Sequence, residues 1–214
     1  MKEYQKIETV FERDIDGTKK LIEGKFRNPV VEYLKDNTWT FTEKVDGTNI
    51  RVLWDGHTFA FGGRTDNAQI PTFLFSKLQE IFMNNAMEQM FEQLFGDAEV
   101  IIFGEGYGNK IQKVGSSYIN DGVDLRVFDI SINGLYLKRL DVEDICTKLG
   151  LKIVPIVMEG TIEDAVSLVK ECPPSVVALD NCVMEGLVGV PTVPVYDRLG
   201  NRIIVKIKVR DFQV

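Results

Sequence analysis

Tight turns between alternating apolar segments place the strongest limit on how this chain can fold. Large apolar residues recur at every second position in residues 50–54, Asp55-Gly56 follows, and an apolar segment returns. Side chains two positions apart share one face of a strand, and Asp-Gly favours the tight turn of an antiparallel hairpin. Asn133-Gly134 gives the same signal after a later apolar strand. The pattern therefore predicts mainly antiparallel sheets.

Other segments have the period of helices. Their apolar residues recur every three or four positions, and glycine or a capping pair marks several of their ends. The predicted helices lie in residues 76–95, in residues 141–149 before Gly150, and after Thr161, which has a capping-box spacing to Asp164. Strands and helices together predict an α+β fold with antiparallel sheets flanked by helices.

Composition and length restrict the class of protein. We expect residues 1–214 to form one domain, in which residues 1–38 are an N-terminal segment. The net charge of −7 argues against nonspecific nucleic-acid binding by the whole surface. Three cysteines without a CxxC pair suggest neither a disulfide framework nor a zinc site. Without a signal peptide or an apolar run of about 20 residues, the sequence predicts a cytoplasmic protein with no membrane partner.

A small set of charged residues is placed where chemistry is expected. Lys44 follows a predicted strand and precedes an acidic-glycine turn, where a neutral lysine amine could act as a nucleophile. Glu105 lies between two glycines, which allow a ligand to approach the backbone closely. Glu185 lies inside a predicted apolar strand and needs a cation, a hydrogen-bond donor or a ligand. Lys206 and Lys208 point together from one face of an alternating strand.

The order of these segments resembles the covalent nucleotidyltransferases, the superfamily of polynucleotide ligases and mRNA capping enzymes. The resemblance spans roughly residues 40 to 210. Within the superfamily, the chain looks most like the bacteriophage RNA ligase 2 branch in the segment from Glu43 to Asn49 and at Arg64. The five matching segments are Lys44-Val45-Asp46-Gly47, Phe103-Gly104-Glu105, Leu125-Arg126-Val127-Phe128-Asp129, Glu185-Gly186-Leu187-Val188 and Lys206-Ile207-Lys208.

The resemblance implies an ATP-dependent RNA ligase with the nucleotidyltransferase fold, in which sheets surround a nucleotide cleft. Such an enzyme attaches AMP to a lysine, transfers the AMP to a 5′-phosphate end, and seals that end to a 3′-hydroxyl. ATP and Mg²⁺ or Mn²⁺ are the expected cofactors. RNA ends, in a nicked duplex or a single strand, are the expected partners.

The same resemblance implies catalytic roles for four residues. Lys44 is the expected nucleophile, and Lys206 and Lys208 are expected to hold the phosphates. Glu185 would orient Lys44 or contact a hydrated metal ion, since magnesium keeps several waters and binds through few carboxylates. Asp46 either shapes the turn or contacts substrate.

Six further residues are expected to bind the nucleotide. Glu105 would accept hydrogen bonds from the ribose hydroxyls, and Arg64 would reach the ribose or a phosphate. Phe128 offers an aromatic face for adenine stacking. Glu43, directly before the nucleophile, is also expected to contact the nucleotide. Asn49 and Arg51, on the strand after it, could contact either the nucleotide or the nucleic-acid end.

Alternatives remain open at this point. We expect neither the OB domain of DNA ligases and capping enzymes nor the helical domain of RNA ligase 2 after the fifth motif. A separate nucleic-acid-binding partner could supply that contact. The alternative functions are a DNA ligase-like enzyme, a capping guanylyltransferase-like enzyme, and a nucleotide-binding module that does not catalyse.

Overall fold

The computed structural model describes residues 1–213, which form two compact units. The Lys44 unit contains Gln5–Val45 and the described residues from Pro155 onward. The Glu105 unit contains Met1–Tyr4 and Asp46–Val154. Each unit is therefore assembled from two separate stretches of the chain.

Strands account for most of the regular structure. They are β1 (Glu8–Thr9), β2 (Phe11–Arg13), β3 (Leu21–Phe26), β4 (Trp39–Glu43), β5 (Thr48–Trp54), β6 (Phe59–Gly62), β7 (Val100–Gly108), β8 (Val123–Ile132), β9 (Leu135–Tyr136), β10 (Lys152–Ile153), β11 (Ile156–Gly160), β12 (Gly186–Pro191) and β13 (Val205–Lys208). The helices are α1 (Pro29–Tyr33), α2 (Thr72–Phe82), α3 (Asn85–Phe95), α4 (Gly115–Tyr118), α5 (Arg139–Leu149) and α6 (Ile162–Lys170), and a 3₁₀ turn spans Val209–Asp211.

The Lys44 unit is built on a five-stranded sheet with the order β1-β13-β12-β4-β11. Only β1 and β13 pair in parallel, and the other neighbours are antiparallel. Trp39, Phe41, Leu187 and Ile207 are fully buried in its core, against which the apolar side of α6 packs. This sheet places the ends of β4 and β13 on either side of β12.

The Glu105 unit is built on a six-stranded sheet in which β10, β8, β7, β5 and β6 are neighbours in that order and β9 pairs with β8. Only β10 pairs in parallel with its neighbour β8. Ile50, Val52 and Trp54 line the buried face, and α2, α3 and α5 contribute apolar side chains to the same core. Asn49 and Arg51 alternate with these apolar residues along β5 and therefore lie on its other face.

Both predicted hairpins are confirmed. β5 and β6 pair antiparallel across Asp55-Gly56, and the Asp55 carboxylate accepts hydrogen bonds from two backbone N–H groups of the turn. Asn133 and Gly134 have φ values of 49° and 80°, as the mirror-image type of tight turn requires. The predicted α+β class with mainly antiparallel sheets is confirmed.

The helix predictions are confirmed in part. Residues 76–95 were expected to form one amphipathic stripe, but the stripe breaks between α2 and α3. Asn84 causes the break, since its side chain accepts a hydrogen bond from the Met87 N–H and caps the second helix. The capping box of Thr161 and Asp164 is present at α6, and Gly150 ends α5 in the left-handed conformation. Among residues 1–213, no helix has the length and apolar character that crossing a membrane requires.

Candidate active site

Lys44 lies directly after β4, as the sequence predicts. Its backbone N–H donates to the Gly186 carbonyl at 2.9 Å, so β12 holds this residue beyond the end of the strand. Glu43 is still paired with Leu187 in the ladder. The position of the lysine backbone is therefore fixed by the sheet of the Lys44 unit.

Glu185 joins two of the predicted catalytic lysines. One carboxylate oxygen, Oε2, accepts from Lys44 Nζ at 2.5 Å, and the other, Oε1, accepts from Lys208 Nζ at 2.6 Å. The three side chains are 23%, 13% and 14% exposed for Lys44, Glu185 and Lys208 respectively. Glu185 precedes β12 instead of lying within a strand, which corrects one detail of the prediction. The sequence predicts that this carboxylate needs a cation, and two ammonium groups, those of Lys44 and Lys208, bind it.

Gly186 allows β12 and β13 to approach closely beside this cluster. Its φ is +153°, and a Cβ atom added there would lie 2.1 Å from the Ile207 carbonyl oxygen and 2.7 Å from the Lys208 Cα. Gly186 pairs with Lys208 across the two strands. A larger residue would push apart the strands that bring Lys208 to Glu185.

Lys206 lies two residues before Lys208 on the same strand. Val205 and Ile207 are buried in the core, so the two lysines project from the opposite face, as predicted. Lys206 is the cross-strand neighbour of Val188, which in turn pairs with Thr42. The face that carries Lys206 therefore continues across three strands.

Glu43, predicted to contact the nucleotide, has its side chain in the interior of the Lys44 unit. This residue is only 1% exposed, and its carboxylate accepts hydrogen bonds from the Ser175 hydroxyl and, at 2.8 Å, from the Val176 N–H. The side chain points into the protein because Lys44 and Glu43 face opposite sides of the strand end. Protein groups of the Lys44 unit thus bind the Glu43 carboxylate.

In the Glu105 unit, Asn49, Glu105 and Arg126 form a row across three neighbouring strands. Asn49 pairs with Glu105 in one ladder, and Glu105 pairs with Arg126 in the next. Within residues 1–213, Asn49 Oδ1 and Arg126 Nε are buried polar atoms without a hydrogen-bond partner. Such atoms are unusual in folded proteins and mark a place where a polar ligand would be stabilising.

Tyr118 and Gln112, for which no sequence pattern predicts a role, hold the turn after Lys44. The Asp46 N–H donates to the Tyr118 hydroxyl at 3.2 Å, and Gln112 Nε2 donates to the Gly47 carbonyl at 3.0 Å. A Cβ atom on Gly47 would lie 2.2 Å from the Gly106 carbonyl oxygen. The turn is therefore packed closely against the strand that carries Glu105.

Arg51, predicted to contact the nucleotide or the nucleic-acid end, lies in the interior of the Glu105 unit. Its side chain is fully buried, and its guanidinium donates to the Gly63 carbonyl at 2.6 Å, the Met1 carbonyl at 2.8 Å and Asp66 at 2.9 Å. Arg64 lies in the loop that these contacts hold, and its side chain is exposed. Arg51 thus positions the loop, while Arg64 is the arginine that remains accessible to a ligand.

Phe128 projects away from the buried Val127, as the alternation predicts. The Tyr4 ring packs edge-on against it with a centroid distance of 5.0 Å. The Tyr4 hydroxyl donates to the buried Asp129 carboxylate at 2.8 Å, which fixes the ring in this place. Tyr4 belongs to the N-terminal segment, which offered no sequence signal for such a role.

Comparison with known proteins identifies the family. A protein-family model described as RNA ligase matches residues 37–208 of this chain. The chain belongs to the RNA ligase family. The matched region contains every residue of the Lys44, Glu185 and Lys208 cluster, and no curated protein matches the sequence.

Solved RNA ligase structures share the fold. A mutant Naegleria gruberi RNA ligase with ATP and Mn is 22% identical, with a TM-score of 0.62 over 84% of this chain and 52% of that chain. The Naegleria gruberi RNA ligase with PPi is 19% identical, with a TM-score of 0.63 over 97% of this chain and 62% of that chain. The chain thus spans between about half and three fifths of the length of these two structures.

Within each unit of this RNA ligase family member, the structure brings some predicted residues together. In the Lys44 unit, Lys44, Glu185 and Lys208 form one hydrogen-bonded cluster, and Lys206 follows on the face of Lys208. In the Glu105 unit, Asn49 and Glu105 are cross-strand neighbours. In residues 1–213, no group of three or more His, Cys, Asp or Glu side chains could hold a metal ion by itself.

Proposed function

We propose that this chain performs the nucleotidyl-transfer chemistry of an ATP-dependent RNA ligase. Membership of the RNA ligase family supports the reaction class. The observation that carries the proposal is the Glu185 carboxylate, which binds Lys44 through one oxygen and Lys208 through the other. This arrangement places a candidate nucleophile, an orienting carboxylate and a phosphate-binding cation in one cluster.

In the proposed first step, the Lys44 amine attacks the α-phosphorus of ATP. A nitrogen–phosphorus bond forms, the bond from the α-phosphorus to the bridging oxygen breaks, and pyrophosphate leaves. Lys44 must first lose a proton, and the Glu185 oxygen that accepts its hydrogen bond is placed to take it. Because phosphoryl transfer depends mainly on alignment and charge neutralisation, fixing the amine is the chief task of Glu185.

Lys206 and Lys208 would neutralise phosphate charge during this step. Both project from the outer face of β13, and the position of Lys208 is set by its hydrogen bond to Glu185. The Lys44 ammonium occupies the other oxygen of that carboxylate. When Lys44 becomes a neutral amine, the Glu185 carboxylate would therefore lose one of its two cationic partners.

A hydrated Mg²⁺ or Mn²⁺ ion fits this donor set. Glu185 supplies one carboxylate, and magnesium commonly binds through one or two carboxylates, water and substrate phosphates. When bound, the ion would neutralise charge on the phosphates. No protein cage of three carboxylate, histidine or cysteine ligands is needed for such an ion, and the described residues provide none.

The proposal assigns nucleotide contacts to four residues of the Glu105 unit. Glu105 accepts hydrogen bonds from the ribose, and Asn49 supplies its unpartnered amide oxygen to a polar group. Phe128 stacks on adenine, and the exposed Arg64 contacts a phosphate or the ribose. Each residue is assigned one contact, and each contact is proposed independently of the other three.

The later steps are proposed from the reaction class. AMP passes from Lys44 to a 5′-phosphate RNA end, and a 3′-hydroxyl displaces it to seal the strand. RNA ends, in a nicked duplex or a single strand, are the proposed substrates, and a separate protein could supply further RNA contacts. A single adenylyltransferase domain, a cytoplasmic location and descent from the bacteriophage branch belong to the same proposal.

The first step can be tested by intact-protein mass spectrometry. Wild-type protein incubated with ATP and Mg²⁺ is expected to gain the mass of one adenylyl group. Lys44→Arg keeps a positive charge but removes the nucleophile, so it should gain none. GTP offered in place of ATP separates an adenylyltransferase from a capping-type guanylyltransferase. An unchanged wild-type mass with both nucleotides would overturn the proposal.

A further inference from the structure

Glu43 precedes the proposed nucleophile but faces the interior of the Lys44 unit. Its carboxylate accepts hydrogen bonds from the Ser175 hydroxyl and the Val176 N–H. The Ser175 Oγ atom accepts in turn from the N–H groups of Val177 at 3.2 Å and Ala178 at 3.0 Å. One buried carboxylate and one hydroxyl thus organise the backbone of residues 175–178.

Residues 175–178 belong to a closed loop that leads directly to Glu185. The Ser175 N–H donates to the Cys182 carbonyl at 2.8 Å, and the Met184 N–H donates to the Pro173 carbonyl at 3.0 Å. Pro174 and Val183 form an isolated antiparallel bridge between these two bonds. The base of the loop is therefore fixed one residue before Glu185.

Besides the β4–β12 ladder and the Lys44–Glu185 hydrogen bond, two further connections join the end of β4 to the chain around Glu185. The first is the backbone bond from the Lys44 N–H to the Gly186 carbonyl. The second runs through the Glu43 carboxylate to Ser175 and the base of the loop. Glu43 and Ser175 are 1% and 8% exposed, so water cannot readily replace either partner. Removing one partner would leave buried polar groups unsatisfied.

We propose that Glu43 is a positioning residue that acts through Ser175. It holds the base of loop 173–184 against the end of β4, and this keeps the Glu185 carboxylate aligned with the Lys44 amine. The inference rests on the proposed function, since it assigns Lys44 as the nucleophile. It differs from a nucleotide-binding role of Glu43, because its partner is a protein hydroxyl and not a ligand.

The two roles of Glu43 predict opposite results for Ser175. If Glu43 acts through Ser175, then Ser175→Ala should slow adenylylation and leave the ATP concentration for half-maximal rate within about twofold of wild type. If Glu43 binds ATP directly, Ser175→Ala should leave the rate constant unchanged, while Glu43→Ala should raise the half-saturating ATP concentration. The comparison separates alignment of the amine from affinity for the nucleotide.

The test is a double-mutant cycle in single-turnover adenylylation. We expect Ser175→Ala to lower the rate constant about tenfold and Glu43→Ala about a hundredfold, because small misplacements of reacting groups have effects of this size. The double variant should be no slower than Glu43→Ala alone. Glu43→Gln keeps an acceptor of the same size and should recover at least part of the rate. Matched controls are Ser167→Ala and Glu163→Gln on the exposed side of α6, which should react at the wild-type rate.

Hydrogen exchange in the nucleotide-free protein gives a readout that is independent of adenylylation. Both Ser175→Ala and Glu43→Ala should raise the exchange rate of the Lys44 amide and of the Val177 and Ala178 amides, with the far-ultraviolet spectrum unchanged. Faster exchange with no AMP adduct on wild-type protein would reject the proposed function and keep the positioning of the loop. Unchanged exchange, or additive rate effects in the cycle, would overturn the role of Glu43.

Discussion

Lys44 Nζ and Glu185 Oε2 lie 2.5 Å apart, although 140 residues separate their positions in the chain. The contact exists because β4 and β12 are antiparallel neighbours and the Lys44 N–H remains bonded to the Gly186 carbonyl. Glu185 also binds Lys208, so one carboxylate compensates two partly buried ammonium groups. Its removal should affect both stability and chemistry.

Glu185→Ala should slow adenylylation strongly and reduce the free energy of unfolding. The variant leaves Lys44 and Lys208 as neighbouring cations without their shared acceptor. We expect a loss of about 1.5–3 kcal/mol in urea unfolding, the range for hydrogen bonds to charged groups. The adenylylation rate should fall about a hundredfold, since the amine loses its alignment.

A matched ion pair on the surface supplies the control for Glu185. Lys148 and Asp144 form an exposed pair within α5, where Asp144→Ala should change the unfolding free energy by less than about 0.5 kcal/mol. If Glu185→Ala were as stable and as active as this control variant, the cluster would have no role in either property.

Two arginines of the Glu105 unit should respond to mutation in opposite ways. Arg51→Ala should lower the unfolding free energy by about 2–4 kcal/mol, because it leaves the carbonyls of Gly63 and Met1 and the Asp66 carboxylate without their donor. Arg64→Ala should change stability by less than about 0.5 kcal/mol, since the side chain is exposed. Urea titrations of both variants test this difference.

Activity should reverse this order at a temperature where both variants are folded. Arg64→Ala is expected to raise the half-saturating ATP concentration, whereas any effect of Arg51→Ala should follow from disorder of the 62–66 loop. Equal stability losses for the two variants would contradict the assignment of Arg51 to the interior and Arg64 to ligand binding.

Gly186→Ala should destabilise the protein more than a glycine substitution in an open turn. The added Cβ would lie 2.1 Å from the Ile207 carbonyl oxygen, so β12 and β13 must separate. Such overpacking typically costs about 1–3 kcal/mol. Gly200→Ala is the control, since its φ is +80° but no atom lies within 4 Å of the added Cβ. Thermal unfolding of both variants measures the difference, and equal melting temperatures would contradict the close approach.

Cys146 should make the stability of the protein fall at high pH. Burial raises the pKa of its thiol from 9.0 to about 12, so the folded state keeps the proton while the unfolded state loses it above pH 9. The unfolded state then binds fewer protons, and the free energy of unfolding decreases as pH rises from about 9 towards 12, by at most about 1.4 kcal/mol per pH unit for this group.

Cys146→Ala removes this titration and provides the comparison. The stability difference between wild type and variant should be constant below pH 9 and shrink above it. In the native protein at pH 8, a thiol reagent should modify Cys172 and Cys182 before the buried Cys146. A pH-independent difference would contradict the buried, protonated thiol.

Local rules predicted part of the arrangement of Lys206, Lys208 and Glu185, whereas the family resemblance implied their catalytic roles. Strict alternation places Lys206 and Lys208 on one face of a strand whatever the rest of the chain does. A carboxylate in an apolar segment must find a cation or a donor, and Glu185 finds Lys44 and Lys208. These rules depend only on a few neighbouring residues, so they can be applied without knowledge of the tertiary structure.

The roles of Glu43 and Arg51 could not be predicted in the same way. Glu43 receives a hydrogen bond from Ser175, 132 positions away, and Arg51 donates to the carbonyl of Met1, 50 positions away. Both residues lie next to the motif, but the direction of each side chain depends on which distant segment packs beside it. Apolar spacing does not indicate the break at Asn84, because the spacing continues through the cap.

Lys44, the proposed nucleophile, should carry the adenylyl group after reaction with ATP. The most direct measurement incubates the protein with ATP labelled in the α-phosphate or in the γ-phosphate, in the presence of Mg²⁺, and maps the labelled peptide. We predict acid-labile label from the α-phosphate only, on the peptide that contains Lys44, and none in Lys44→Arg. Label on another residue, label from the γ-phosphate, or undiminished labelling of Lys44→Arg would contradict the account.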